Sequence, residues 1–316
     1  MTGTLPPPEL VARIPHAPAP ESVLNLPWRA TPRTLFLTGG IDGCLLWRVW
    51  WACAHISSHG FVADYVRYEN LNDLYPMIRS GRYNTVVTPR FVWRETTAAD
   101  EFIETVRRDG LCWIYELDDD VLSPEVIARQ IALFPEGHPR GNAEHLEWER
   151  AERLRLIPYA DGVSVSSPSL GQVVTGVTSG LPVRVIPNAI DVAWFRNVLQ
   201  GAAPRVTKPV CIGWMGGQRN DDDLEVVGEA WGRIARRFPD VTFAIQGYPS
   251  RKLTEQVPPE RLAILPWATI EEYPRALVNF DIACCSVSRD PWNERKTPIK
   301  WFEMSVAGVP CVVSNA

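Results

Sequence analysis

From Thr34 onward the chain alternates short apolar runs with longer amphipathic stretches, and this alternation limits its fold more than any other feature. A short apolar run fits a strand buried on both faces, and a stretch with one charged face between two runs fits a crossover helix. TLFLTGG (34–40), FVADYV (61–66), NTVVTP (84–89), LCWIYEL (111–117), GVSVSS (162–167) and VRVIP (183–187) read as strands. A Trp-rich helix is expected over about 44–57, with charged helices over 97–108 and 142–157. Periodicity lapses at 197–209, NVLQGAAPRVTKP, which predicts a domain boundary near residue 200. The alternation then resumes with strands VCIGWMGG (210–217), VTFAIQG (241–247), RLAILPW (261–267), FDIACCSVS (280–288) and VPCVVS (309–314). Helices are expected over 222–237, 270–279 and 298–307. The fold class is therefore α/β, with two doubly wound parallel sheets over 31–200 and 201–316 that face a cleft. Residues 1–30 hold Pro6, Pro7, Pro8, Pro15, Pro18, Pro20 and Pro27, which deny the segment helix continuity and make it an arm.

A length of 316 residues suits two such domains. With 46% hydrophobic and 22% charged residues the composition is globular. A net charge of -5 gives no broad basic field, which disfavours a nucleic-acid partner and suits small substrates. Seven cysteines, most in apolar runs and none in CxxC spacing, read as reduced core residues and not as a metal site. No basic segment followed by an apolar run opens the chain, and no run approaches ~18 apolar residues, so the expected location is cytoplasmic.

Ligands of parallel α/β sheets bind beyond the carboxyl ends of the strands. Two segments of the second half draw attention there. Gly213-Trp214-Met215-Gly216-Gly217 reads as a glycine turn whose amides can approach a phosphate, or as a plain tight turn. NERKTPIKWFE (293–303) reads as a helix start: Thr297 as the cap, Pro298 at the first helical position. Arg295 and Lys296 add positive charge where the helix dipole already favours an anion, an arrangement suited to a diphosphate. Lys300 and Glu303 share one face, and a carboxylate there can accept hydrogen bonds from ribose hydroxyls. The plainer reading is an exposed Lys–Glu pair behind an ordinary cap.

In the first half, Asp118, Asp119 and Asp120 follow an apolar strand. Crowded carboxylates raise one another's pKa, which prepares one to accept a proton or anchor sugar hydroxyls. Capping of a following helix and binding of magnesium or calcium are the competing readings. Gly39, Gly40 and Gly43 surround Asp42 in a loop that can let donor or acceptor approach the backbone. Arg90, after NTVVTP, is a cation for an acceptor phosphate or one half of a surface salt bridge.

IPNAID (186–191) resembles the IPNGID hinge motif of GT-B glycosyltransferases of the family 4-like group, and NERKTPIKWFEMSVAGVPCVVS (293–314) resembles their nucleotide-binding segment. YELDDDVL (115–122) and VVTPRF (86–91) resemble a subgroup found in surface-polysaccharide and O-antigen synthesis. The resemblance implies two Rossmann-like domains, with the acceptor mainly on the first and the nucleotide sugar on the second. It implies sugar transfer from a UDP- or GDP-sugar to an acceptor hydroxyl with the anomeric configuration retained, with no metal and no tightly bound cofactor. Asp118, Asp119 and Lys296 are the expected catalytic groups. Gly40, Gly213, Gly216, Gly217, Arg219, Arg295, Lys296, Thr297, Lys300 and Glu303 are the expected donor-binding set. A lipid-linked acceptor would bring peripheral membrane contact.

Three departures stand against this pattern. The first glutamate of the family's E-x7-E falls on Arg295, and Trp214 stands where relatives carry a basic residue, so Arg219, Arg295 or Lys296 must supply that charge. The chain also ends at Ala316, sooner than the resemblance implies, which predicts a shortened second domain. An epimerase or hydrolase of the same fold, and a sugar-nucleotide-binding protein without turnover, are the rival expectations.

Overall fold

The computed structural model describes residues 31–39, 45–67, 71–90, 96–134, 138, 141–178, 180–201, 209–217, 221–249 and 251–315. The proline-rich arm, Gly40, Asp42, Gly43 and Arg219 lie outside the described residues.

By contacts the chain forms two compact units. The first comprises 1–128, 142–188 and the short segment Arg295–Thr297; the second comprises 129–141, 189–294 and 298–316. The expected boundary at residue 200 thus moves to Asn188 and Ala189. The helix Val192–Val198 packs on helices of the second unit, which takes it out of the first.

The first unit carries a sheet of six parallel strands: β1 (Arg33–Thr38), β2 (Val62–Arg67), β3 (Thr85–Pro89), β4 (Cys112–Leu117), β5 (Gly162–Val165) and β6 (Val183–Val185), in the order β2-β1-β3-β4-β5-β6. Helices α1 (Trp51–Ser58), α2 (Leu71–Arg79), α3 (Thr96–Arg108), α4 (Pro124–Ala132), α5 (Ala143–Leu156) and α6 (Pro168–Val177) lie along this stretch of chain. The helix expected over 44–57 opens as a π-helical stretch, Leu45–Trp50, before α1.

Alternation along β1 sends Leu35 and Leu37 to one face, where Leu74, Phe102, Trp113, Leu156 and Leu170 meet them. Phe36 points to the other face, against Val49, Cys53 and Val87. Both faces are covered, as an all-parallel sheet requires. Asp161 and Trp113 lock β4 at its start: Trp113 N donates to Asp161 Oδ2 at 2.7 Å, and Asp161 N donates back to the Trp113 carbonyl at 2.8 Å.

The second unit repeats the plan with α7 (Val192–Val198), β7 (Cys211–Gly216), α8 (Asp221–Arg237), β8 (Thr242–Gly247), α9 (Arg251–Thr254), β9 (Leu262–Leu265), α10 (Tyr273–Leu277), β10 (Ile282–Cys285), α11 (Ile299–Val306) and β11 (Cys311–Val313). Its strands run parallel in the order β11-β10-β7-β8-β9. Trp214, Trp231, Phe243 and Ile245 fill its core. Asp281 repeats the Asp161 lock, accepting from Cys211 N at 2.7 Å. Of the cysteines read as core residues, Cys211, Cys284 and Cys285 are buried, whereas Cys112 is exposed and Cys311 half-buried.

Gly213 is not in a turn. It sits inside β7, where a Cβ would overlap the Phe280 ring, and Gly216 closes the same strand against the Trp214 indole. Close side-chain approach is enough to require glycine at both positions. Gly213→Ala is expected to destabilise the fold by about 1–3 kcal/mol through overpacking, and Phe280→Leu in the same chain to recover part of it. Urea unfolding of the three proteins checks this; equal midpoints for Gly213→Ala and the parent would refute it.

Candidate functional site

The strand orders say where to look. In the first sheet the direction of winding reverses between β1 and β3, and in the second between β7 and β10. Crevices outside the carboxyl ends of such strands are the binding places of open α/β sheets.

In the first unit, Arg90 follows β3 with φ 45°, and its N–H donates to the Glu116 carbonyl at 2.8 Å. Its Nε lies 3.0 Å from Asp118 Oδ1 and its Nη1 3.0 Å from Asp119 Oδ2. Asp120 accepts the N–H groups of Leu122 and Ser123 at 3.0 Å each, tying down the entry to α4, and is ion-paired with Arg295. The aspartates therefore do not face one another as a crowd of carboxylates. Each is matched to a guanidinium, so opposite charges stand where the sequence suggested a cluster of like ones. This pairing makes Arg90 a salt-bridge residue first.

The segment Arg295–Thr297 is fastened to the same unit at each end. The Arg295 guanidinium bonds Asp120, Ser123 Oγ at 2.9 Å and Glu125 Oε1 at 3.0 Å. Its carbonyl accepts from Ser167 Oγ at 2.6 Å. Glu125 is held below the usual carboxylate range by its own backbone amide and then by Arg295. Thr297 Oγ1 accepts from Asn188 Nδ2 at 2.8 Å. Lys296 lies between these two held residues, half-buried.

Thr297 is consequently not the helix cap. The cap residue of α11 is Pro298, with φ -78° and ψ 50° and no capping side chain. The threonine hydroxyl accepts from the Asn188 side chain and makes no cap bond to the helix. The Pro298 carbonyl accepts from Trp301 N at 3.1 Å and Phe302 N at 3.2 Å, so the helix still opens directly after the cationic segment.

Beneath Asn188 lies a pair that the sequence reading missed. Arg48, in the π-helical stretch, places Nη2 2.6 Å from Glu116 Oε1 and Nη1 2.6 Å from the Ile186 carbonyl and 3.1 Å from Asn188 Oδ1. Arg48 and Glu116 have side chains only 5% and 3% exposed, so the pair is desolvated. Burial pushes the Glu116 carboxyl up to about 7, against the lowering effect of Arg48. The signals were present: Arg48 is the one cation in LLWRVWWACA and Glu116 the one charge in LCWIYEL.

In the second unit, Lys300 Nζ stacks 4.9 Å from the centre of the Trp214 ring. Glu303 is fully buried, and its Oε2 accepts from the Tyr273 hydroxyl at 2.5 Å. Burial, then the Glu303 charge, raises the Tyr273 phenol well above its ordinary value. Tyr273 thus engages one oxygen of the carboxylate that the sequence reading gave to a ribose. Gly217 follows β7, with room for a Cβ and Trp267 at van der Waals distance.

The crevice at β7 and β10 is lined by a network that no motif announced. Buried Asp223 accepts from Ser288 N at 2.7 Å and Asn293 Nδ2 at 2.8 Å, and Asp290 accepts from Trp292 N at 2.9 Å. Arg129 lies 3.0 Å from Asp290 and over the Trp292 ring. These bonds tie together the loop that leads into Asn293.

No family profile matches the chain. Over 182 residues it is 28% identical to a Bacillus subtilis (strain 168) protein described as the teichuronic acid biosynthesis glycosyltransferase TuaH, covering 52% of this chain and 43% of that protein. The chain thus spans less than half the length of this curated relative. Its fold superposes on an alpha-glucosyltransferase solved with UDP and DNA (TM-score 0.55, 10% identity, 90% and 79% of the two chains). It also superposes on sucrose-phosphate synthase of Thermosynechococcus elongatus (TM-score 0.53, 11% identity, 90% and 82%). The fold is GT-B. Among the described residues of this GT-B chain, no helix is long and apolar enough to cross a membrane.

The folded pKa of Glu116 lies above its unfolded value, so its contribution to stability is largest below about pH 4.5 and is lost as pH rises through about 7. Glu116→Gln should flatten the fall in unfolding free energy between pH 5 and 7.5, whatever its offset from the loss of the Arg48 partner. Denaturant unfolding at several pH values tests this; parallel curves for the two proteins would contradict it.

Proposed function

We propose that this chain transfers a sugar from a nucleoside diphosphate donor to an acceptor hydroxyl. The observation that carries the reading is the cationic segment Arg295-Lys296-Thr297, fastened by Asp120, Ser123, Glu125, Ser167 and Asn188, and running straight into the start of α11. Negative charge grows on the departing diphosphate during transfer. A prearranged cation and polar donors stabilise it without reorganising at the moment of reaction.

Lys296 carries this role in the proposal. Arg295 is committed to three acidic or hydroxyl partners and acts by holding the segment. Asp118 and Asp119 aim Arg90 beside the β1/β3 crevice, where an acceptor's polar groups would be met. Within the second unit, Gly217 ends β7, Lys300 stacks on Trp214 and Glu303 is bonded to Tyr273. The similarity to TuaH supports an acceptor that is a growing surface glycan. The donor in this proposal is a UDP-sugar, with a GDP-sugar as the alternative. A lipid-linked glycan acceptor would bring peripheral membrane contact, and work on the cytoplasmic side fits such a donor. Retention of the anomeric configuration belongs to the same proposal.

Lys296→Ala is expected to lower donor turnover by about 10²–10³ in rate while leaving the unfolding temperature near that of the parent. The assay follows nucleoside diphosphate release from a panel of UDP- and GDP-sugars, with and without saccharide acceptors. Undiminished release in the variant removes Lys296 from the site. Release of a free or isomerised sugar regardless of acceptor replaces transfer by hydrolysis or epimerisation.

A further inference from the structure

The hydrogen bonds running from Glu116 to Thr297 have a fixed direction. An arginine guanidinium only donates, so the side-chain atom of Asn188 that lies 3.1 Å from Arg48 Nη1 must be its oxygen. The amide nitrogen then faces Thr297, and the 2.8 Å bond there is a donation from Asn188 to Oγ1. With that lone pair occupied, the threonine proton is not spent on Asn188 and is turned away from it. Glu116 holds the other edge of the guanidinium, and the Ile186 carbonyl takes a second donor from Nη1, so Arg48 cannot rotate to offer Asn188 a different edge. Arg48 and Asn188 are 7% and 8% exposed, and Glu116 2%, so water does not compete for these groups. In a low dielectric such bonds polarise one another in series.

We infer that Arg48 and Asn188 orient the Thr297 hydroxyl as a hydrogen-bond donor to an anionic oxygen of the donor's diphosphate, with Glu116 holding Arg48 in place. Thr297 touches the ligand; Asn188, Arg48 and Glu116 are positioning residues. The inference deepens the proposed function and rests on it.

The test uses the full chain and measures calorimetric binding of UDP, GDP, inorganic pyrophosphate and uridine. Thr297→Val removes the proton and keeps the shape. Asn188→Asp keeps the shape and the Arg48 contact, but its two acceptor oxygens draw the threonine proton back toward the protein. Each should weaken UDP, GDP and pyrophosphate binding by about 10- to 100-fold, the range for one hydrogen bond to a charged group. Thr297→Ser should stay within about threefold of the parent, and uridine, which lacks phosphate, should bind all variants alike.

The double variant Asn188→Asp/Thr297→Val should be no more than about threefold weaker than Thr297→Val alone, because the first change acts through the second residue. Multiplicative losses, or wild-type UDP affinity in Thr297→Val, overturn the inference while leaving the donor assignment standing. A parent chain that binds none of the three phosphates overturns the donor assignment and this inference together. Unfolding temperatures within a few degrees of the parent keep both results readable. Should Asn188→Asp unfold, Thr297→Val against Thr297→Ser still decides, since neither changes the buried guanidinium or its partners.

Discussion

Every strand pairing in both sheets is parallel, and that constraint governs the rest of the molecule. Parallel neighbours cannot be joined by a tight turn, so each strand must be followed by a crossover that returns the chain to the opposite edge. All carboxyl ends then collect on one edge of each sheet. The residues with chemistry stand there: Arg90 after β3, the aspartates after β4, Gly217 after β7 and the Ser286–Asn293 loop after β10. Their placement follows from backbone pairing before any side chain is considered.

The second organising feature is the commitment of buried charge to partners. Asp118 and Asp119 are given to Arg90, Asp120 to Arg295, Glu116 to Arg48 and Asp290 to Arg129. Removing a charge from water is costly unless a partner is close and the remaining lone pairs are used, so these groups define one geometry and penalise others. Their value lies less in net stability than in holding short irregular segments, such as 295–297, that have no regular structure of their own.

Much of the fold was legible in the linear pattern. The apolar runs at 34–38, 85–89, 112–117, 162–165, 211–216, 242–247 and 282–285 became strands, and the charged stretches between them became helices. Errors arose where local and tertiary demands compete for the same atom. Thr297 before Pro298 has every local mark of a cap, yet Asn188, distant in sequence, claims its hydroxyl. Gly213 has the mark of a loop glycine, yet the Phe280 ring makes it a strand residue. The triple aspartate suggested mutual repulsion, yet two arginines divide it. Arg48 and Glu116 were visible as lone charges in apolar runs, but nothing in either run names the other.

Sequence alone determined the α/β class, the order of the strands and the concentration of cations just before α11, because periodicity and charge are local properties of the chain. Tertiary structure alone decided that Arg295–Thr297 belongs with the first unit, that Glu303 is buried against Tyr273, and that Arg48, Glu116 and Asn188 form one chain of bonds. Those outcomes depend on hydrogen-bond donors finding acceptors up to 175 positions away, as Arg295 finds Asp120. Such pairings are chosen by the folded backbone, since each polar group, once desolvated, must take whichever partner the packing brings within reach.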